Sequence, residues 1–197
     1  MKSLTKEDLI PYAEYERIRE SYRRRIIEVK RRRRLSVGDK ITLLFENRDT
    51  IQFQIQEMVR VERIVDPAKV QEELDVYNAQ LPADGELSAT LFIEITESED
   101  IQRGLDTLQG IDRGNAVALK AGPQTVFGEF ERGWSKEDKI SAVHFVSFRP
   151  TEDFVRALSD GSPLSIMINH PNYKKEVSVP ESLRDEWMAD LRLPDLI

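Results

Sequence analysis

The chain has 197 residues, 40% apolar and 33% charged, which is long enough for a sizeable core and too apolar for a disordered polymer. It contains no cysteine, which excludes disulfides, thiolate nucleophiles, and an iron–sulfur cluster or c-type haem held by this chain. The net charge of −7 is unevenly placed: residues 17–34 carry ten Lys/Arg against two acids, or +8, and the remainder is −15.

No apolar run approaches the ~18 residues that span a bilayer, and the opening MKSLTKEDLIPY lacks the apolar core of a signal peptide. A soluble cytoplasmic protein with no membrane partner is expected. Thr5 is placed to cap a short lead-in that Pro11 stops. From Ala13 onward, Tyr15, Ile18, Tyr22, Ile26 and Val29 recur every three or four residues. That spacing predicts a helix to about Arg34, packed by this stripe and showing arginines elsewhere. Glu14 and Glu16 in its first turn and arginines in its last suit the helix dipole.

Ser36 to Asp39 reads as a turn into a strand, Lys40 to Phe45. The next segment is ambiguous. Ile51, Phe53 and Ile55 alternate like a strand, whereas Ile51, Ile55, Met58 and Val59 fit a helix. The Glu, Gln, Met and Arg that follow favour a helix from about Thr50 to Val65, with Asp49 as its cap. Asp66-Pro67 then starts a helix that ends near Asn78, and Leu81 to Gly85 is a loop. Leu87 to Ile95 alternates as a strand, and Ser98 is placed to cap a short helix from Glu99 to Leu108. Ala116 to Lys120 and Thr125 to Phe130 read as a hairpin, and Ile140 to Phe148 as another strand. Thr151 caps a helix that Gly161 ends. Strands Leu164 to Ile168 and Glu176 to Val179 flank a turn at residues 169–172, and a last helix from Pro180 buries Leu183, Trp187 and Leu191. The class expected is α+β: an N-terminal helical part, residues 1–82, packed on a mainly antiparallel β-sheet in residues 83–197, unless the two form one continuous domain.

Three groups of residues carry candidate chemistry. Arg23, Arg24, Arg31, Arg32, Arg33 and Arg34 form a candidate surface for phosphate or an acidic partner, because a guanidinium donates two hydrogen bonds to one anion. Against this, four successive helical residues point all round the axis, and the same arginines could bridge to the chain's own acidic body. His144 and His170, the two histidines, could share a metal with a carboxylate such as Glu94 if their strands were adjacent. Neither lies in a metal-binding spacing, and His170 before Pro171 is more simply a turn residue bonded to local backbone. Gln52, Gln54 and Gln56 share a face in a strand but fan out round a helix. Glycine-rich phosphate loops and a Ser–His–Asp arrangement are missing, and no cofactor is expected.

The stretch from Tyr15 to Val65, above all FENRDTIQFQIQEM (Phe45 to Met58), with QEELDVYNAQLP (Gln71 to Pro82), GELSATLFIEI (Gly85 to Ile95), ISAVHFVSFRP (Ile140 to Pro150) and NHPNYKKEV (Asn169 to Val177), resembles a bacterial family catalogued as domain-of-unknown-function family 3501. The resemblance covers most of the chain and brings no catalytic residues with it. It implies a gene neighbourhood containing rubrerythrin, a di-iron peroxide-reducing protein, and an iron–sulfur oxidoreductase. The expected role is therefore a non-catalytic, protein-binding accessory of that peroxide-stress module. The alternatives are nucleic-acid binding through the arginine-rich helix and a metal-dependent enzyme using His144 and His170.

Overall fold

The structure, a computed structural model, describes residues 1–95, 101–131 and 140–191. Apolar–polar alternation along the strands decides where the core lies. Strands β1 (Arg34–Ser36), β2 (Ile41–Phe45), β3 (Leu87–Ile93), β6 (Glu129–Phe130) and β7 (Val143–Phe148) make an antiparallel sheet in the order β1-β2-β3-β7-β6. Strands β4 (Val117–Ala121), β5 (Gln124–Phe127), β8 (Leu164–His170) and β9 (Tyr173–Ser178) make a second, in the order β5-β4-β8-β9. Leu43, Phe45, Leu91 and Phe148 from the first sheet and Leu119, Ile166 and Ile168 from the second belong to one apolar cluster. Helices α5 (Glu152–Ser159) and α6 (Glu181–Leu191) add Phe154, Leu158, Leu183 and Trp187 to it.

Because the side-chain period is two, the other face of the first sheet carries different rows. Leu44, Thr90 and Phe145 stand side by side, as do Thr42, Phe92 and Val143. Helices α1 (Tyr12–Arg33), α2 (Arg48–Val61) and α3 (Pro67–Asn78) lie on that side, with a smaller cluster of Leu4, Ile51, Ile55 and Leu74. The α+β class expected from the pattern is therefore observed, with two antiparallel sheets in place of one. Strand β2 pairs with β3 across the loop at residues 81–85, so the first sheet draws strands from both sides of it.

The ambiguous segment is helical. Its cap is Asn47 and not Asp49: the Asn47 side chain accepts from the Thr50 amide at 3.0 Å, and the Thr50 hydroxyl accepts from the Asn47 amide at 2.9 Å. That reciprocal pair satisfies two amides at once, which a cap two residues later would forgo. Asp66 caps α3 as expected, accepting from the Ala68 amide.

Thr125 to Phe130 is not one strand. It divides at Gly128 between the two sheets, where a Cβ would stand 2.5 Å from Val146 Cγ2 and 3.0 Å from the Phe148 ring. Only glycine lets the chain cross there. Strands β8 and β9 run to His170 and Tyr173, which face each other across a two-residue turn tighter than the spacing suggests. The short fourth helix, α4, spans Ile101–Thr107; its expected cap at Ser98 lies outside the described residues.

Candidate functional site

Helix α1 distributes its cations unequally. Its inner stripe, Tyr15, Ile26 and Arg33, is buried. Arg33 falls on the apolar stripe, four residues after Val29 and seven after Ile26, and is 0% exposed. It donates from Nε to the Phe45 carbonyl at 2.8 Å, from Nη1 to Glu186 at 2.6 Å, and from Nη2 to Asp190. One side chain thus ties α1 to the end of β2 and to α6. Burial pushes the Asp190 carboxyl up to about 6, against the pull of Arg33. Burial acts the same way on Glu186, but hydrogen bonds from Arg32 and Arg33 outweigh it and hold that carboxyl below its usual range.

Arg33 therefore cannot join a docking surface, which corrects the grouping of all six arginines as one site. Most of its neighbours are also engaged within the molecule. Arg32 donates to Glu186 at 2.7 Å, Arg31 pairs with Glu28 at 3.0 Å, and Arg34 pairs with Glu94 at 3.6 Å while lying over the Phe92 ring. Arg19 holds Glu57 with two hydrogen bonds, and the Tyr15 hydroxyl donates to the same carboxylate at 2.6 Å. Among the described residues, no carboxylate pairs with Arg17, Arg23 or Arg24, all of them exposed. Arg23 and Arg24 flank Ile27, which is 50% exposed, at helical spacings of four and three.

Lys30, one turn before Arg33, faces inward to a different setting. A cavity of about 170 Å³ lies between α1, α2, α3 and the outer face of the first sheet. Its floor is Leu44, Phe92, Val143 and Phe145, and its polar lining includes Lys30, Glu46, Gln54, Tyr77 and Gln80. Glu46 is buried and accepts from the Thr50 hydroxyl at 2.5 Å and the Thr90 hydroxyl at 2.6 Å. Among the described residues, no cation comes within ion-pair distance of its carboxylate. The Lys30 ammonium lies 5.3 Å from the centre of the Phe53 ring and meets no acceptor among the described residues. Burial pulls it below its ordinary range, and the Glu46 charge acts in the opposite sense. A wider recess of about 330 Å³ adjoins, sharing Glu46, Gln80 and Phe145 and rimmed by Glu86, Glu129 and Arg149.

The three glutamines fan out as a helix requires. Gln52 donates to the Asp8 carbonyl, Gln56 exchanges two hydrogen bonds with Ile10, and Gln54 turns into the cavity. Lys30, Glu46, Thr50, Gln80 and Thr90 went unremarked as a site in the sequence. The available signal was Glu46 directly after an apolar strand, where an acid has no reason to be buried unless hydroxyls meet it.

The histidines are not brought together. His144 stands in the first sheet, opposite Leu91 on the core face, and His170 ends β8 in the second. His144 Nε2 faces the Ser141 carbonyl at 2.8 Å, its Nδ1 is buried with no hydrogen-bond partner among the described residues, and burial lowers its pKa. His170 Nε2 donates to the Gln109 carbonyl, and its Nδ1 accepts from the Asn172 amide, the local backbone role expected of it. Glu94 bonds Thr42 and Arg34 instead of either ring. Among the described residues, no group of three or more His, Asp or Glu is arranged to hold a metal, and the strands that carry His144 and His170 belong to different sheets and are not adjacent partners.

Two antiparallel sheets around one core, with three helices closing a polar cavity on the outer face of one sheet, define the class as a mixed α+β protein. The chain belongs to the family described as protein of unknown function (DUF3501), whose model matches residues 3–191. Among solved structures it is similar to the crystal structure of a novel protein of unknown function from Burkholderia pseudomallei K96243. The two are 31% identical with a TM-score of 0.89, over 97% of this chain and 100% of that one. No curated protein matches the chain. Among the described residues, no helix is long and apolar enough to cross a membrane.

Proposed function

We propose that this chain is a non-catalytic docking protein whose α1 outer face receives an acidic partner protein. The supporting observation is the contrast along one helix: Arg23 and Arg24 are exposed beside Ile27 with no carboxylate paired to them among the described residues, whereas Arg32, Arg33 and Arg34 are all paired. Cations left unpaired on a chain of net charge −7 steer an anionic surface towards one orientation, raising the encounter rate more than the final affinity. The family resemblance offers rubrerythrin and the neighbouring iron–sulfur oxidoreductase as the partners to try first. A chain without cysteine would dock such redox carriers without being one.

The test is native co-purification with those two proteins, comparing the wild type with the double substitution Arg23→Glu and Arg24→Glu. Recovery of one of them, abolished by the substitution and weakened by salt, is the expected result. Recovery of neither, or capture indifferent to the substitution, overturns the proposal. Binding to duplex DNA whose logarithmic salt slope approaches −0.9 per neutralised phosphate would assign the same face to nucleic acid instead.

A further inference from the structure

Buried polar side chains in folded proteins find partners almost without exception, and most of this molecule obeys. Asn78 bonds both backbone groups of Leu4, Gln56 both of Ile10, and Arg184 the carbonyls of Leu158 and Ser162. The cavity under α1 holds a different kind of group. Half-buried Lys30, Gln54 and Tyr77 and buried Gln80 line it, and none of their side chains hydrogen-bonds to the described protein. Gln80 is only 9% exposed and lines both this cavity and the adjoining recess.

The charges there are also arranged unusually. Lys30 and Glu46 have opposite sign, line the same cavity and feel each other's field, yet do not meet as an ion pair. The two Glu46 oxygens are each held by one hydroxyl, which fixes the carboxylate in place and leaves lone pairs for a further donor. A partner that completes this site needs an anionic end for the ammonium and a cationic end for the carboxylate. It also needs a body small enough for about 170 Å³ and apolar enough for Leu44, Phe92, Val143 and Phe145.

We infer that the cavity between α1, α2, α3 and the first sheet is a binding site for a small zwitterion of the free amino-acid class. Its carboxylate is held by Lys30 and the Gln54 amide, and its ammonium by Glu46 and Gln80. A side chain would leave past Gln80 and Phe145 into the adjoining recess, which shares both residues. The site is separate from the proposed docking face: Lys30 points inward, Arg23 and Arg24 outward.

Titration calorimetry and ligand-observed NMR on the full chain test this, with free L-amino acids set against acetate and propionate (anion alone) and methylamine and ethylamine (cation alone). Saturable binding of an amino acid, with neither half-ligand matching it, is expected. Lys30→Met and Gln80→Leu should each weaken that binding by roughly 10- to 100-fold, as expected for a lost charge-assisted or buried hydrogen bond. Glu46→Gln should do the same, with the other two variants covering any loss of folding caused by its buried hydroxyl bonds. The inference is overturned if no free amino acid binds the wild type up to millimolar concentration. Equal binding of an anion alone or an amine alone would also overturn it, as would amino-acid binding that survives both Lys30→Met and Gln80→Leu.

Discussion

Lys30 and Arg33 sit one turn apart on α1, and both turn away from solvent, yet their surroundings could hardly differ more. Arg33 is closed on every side: a carbonyl at the end of β2 and two carboxylates of α6 take its donors, and it is wholly buried. Lys30 lines a cavity with a carboxylate of opposite sign across it and no acceptor from the described protein. The same helix therefore uses one inward cation as architecture and presents another to whatever enters. A planar guanidinium with five donors suits the first task, because desolvation is offset only when every donor is met. A point charge on a flexible stem suits the second.

That contrast can be broken in four places. The largest effect belongs to Arg33→Met, which strands Asp190, leaves Glu186 to Arg32 alone and should lower stability by about 3–5 kcal/mol at neutral pH. Denaturant unfolding measures it, and a loss below about 1 kcal/mol would mean the arginine is not the tie described.

Next comes pH. The Asp190 carboxyl is raised in the fold from 3.8 to about 6, so its contribution is fully present below the lower value and is lost as pH climbs through the higher. Asp190→Asn removes that titration. The stability difference, wild type minus variant, should therefore fall between about pH 4 and pH 6, by an amount on the order of 2 kcal/mol. A difference that stays flat or rises over this window contradicts the assignment.

Lys30→Met should be nearly silent, within about 1 kcal/mol, since it replaces a desolvated ammonium that meets the Phe53 ring but no acceptor among the described residues by an apolar chain. A large loss would show that Lys30 is as architectural as Arg33. Smallest of all, Arg23→Glu with Arg24→Glu should leave unfolding within about 0.5 kcal/mol of wild type, because both side chains are exposed and neither pairs with a carboxylate among the described residues. Partner capture is where that variant should show its effect.

The cysteine-free composition, the helix periodicity and the strand alternation were readable directly, because they repeat within a few residues. Tyr15, Tyr22 and Ile26 pack where their spacing placed them, and Asp66-Pro67, Thr151 and the Leu183–Trp187–Leu191 stripe did as their chemistry required. Local signals also misled. Arg33 reads as one of a basic run although its position continues the apolar stripe, and Ile18, on that stripe by spacing, is 36% exposed. The Gly128 crossing was invisible because only the second sheet's position makes the first sheet lose its claim on β5.

What the sequence determined alone was everything enforced at short range: element types, caps, the amphipathic faces and the concentration of positive charge in residues 17–34. Tertiary structure decided which charges meet. Glu186 and Asp190 come to Arg33 from more than 150 positions away, and Glu46 comes to share a cavity with Lys30 through a strand between them. Coulomb interactions and hydrogen bonds act over a few ångströms of space whatever the separation along the chain, so only folding could sort the cations into those used up inside and those left to bind.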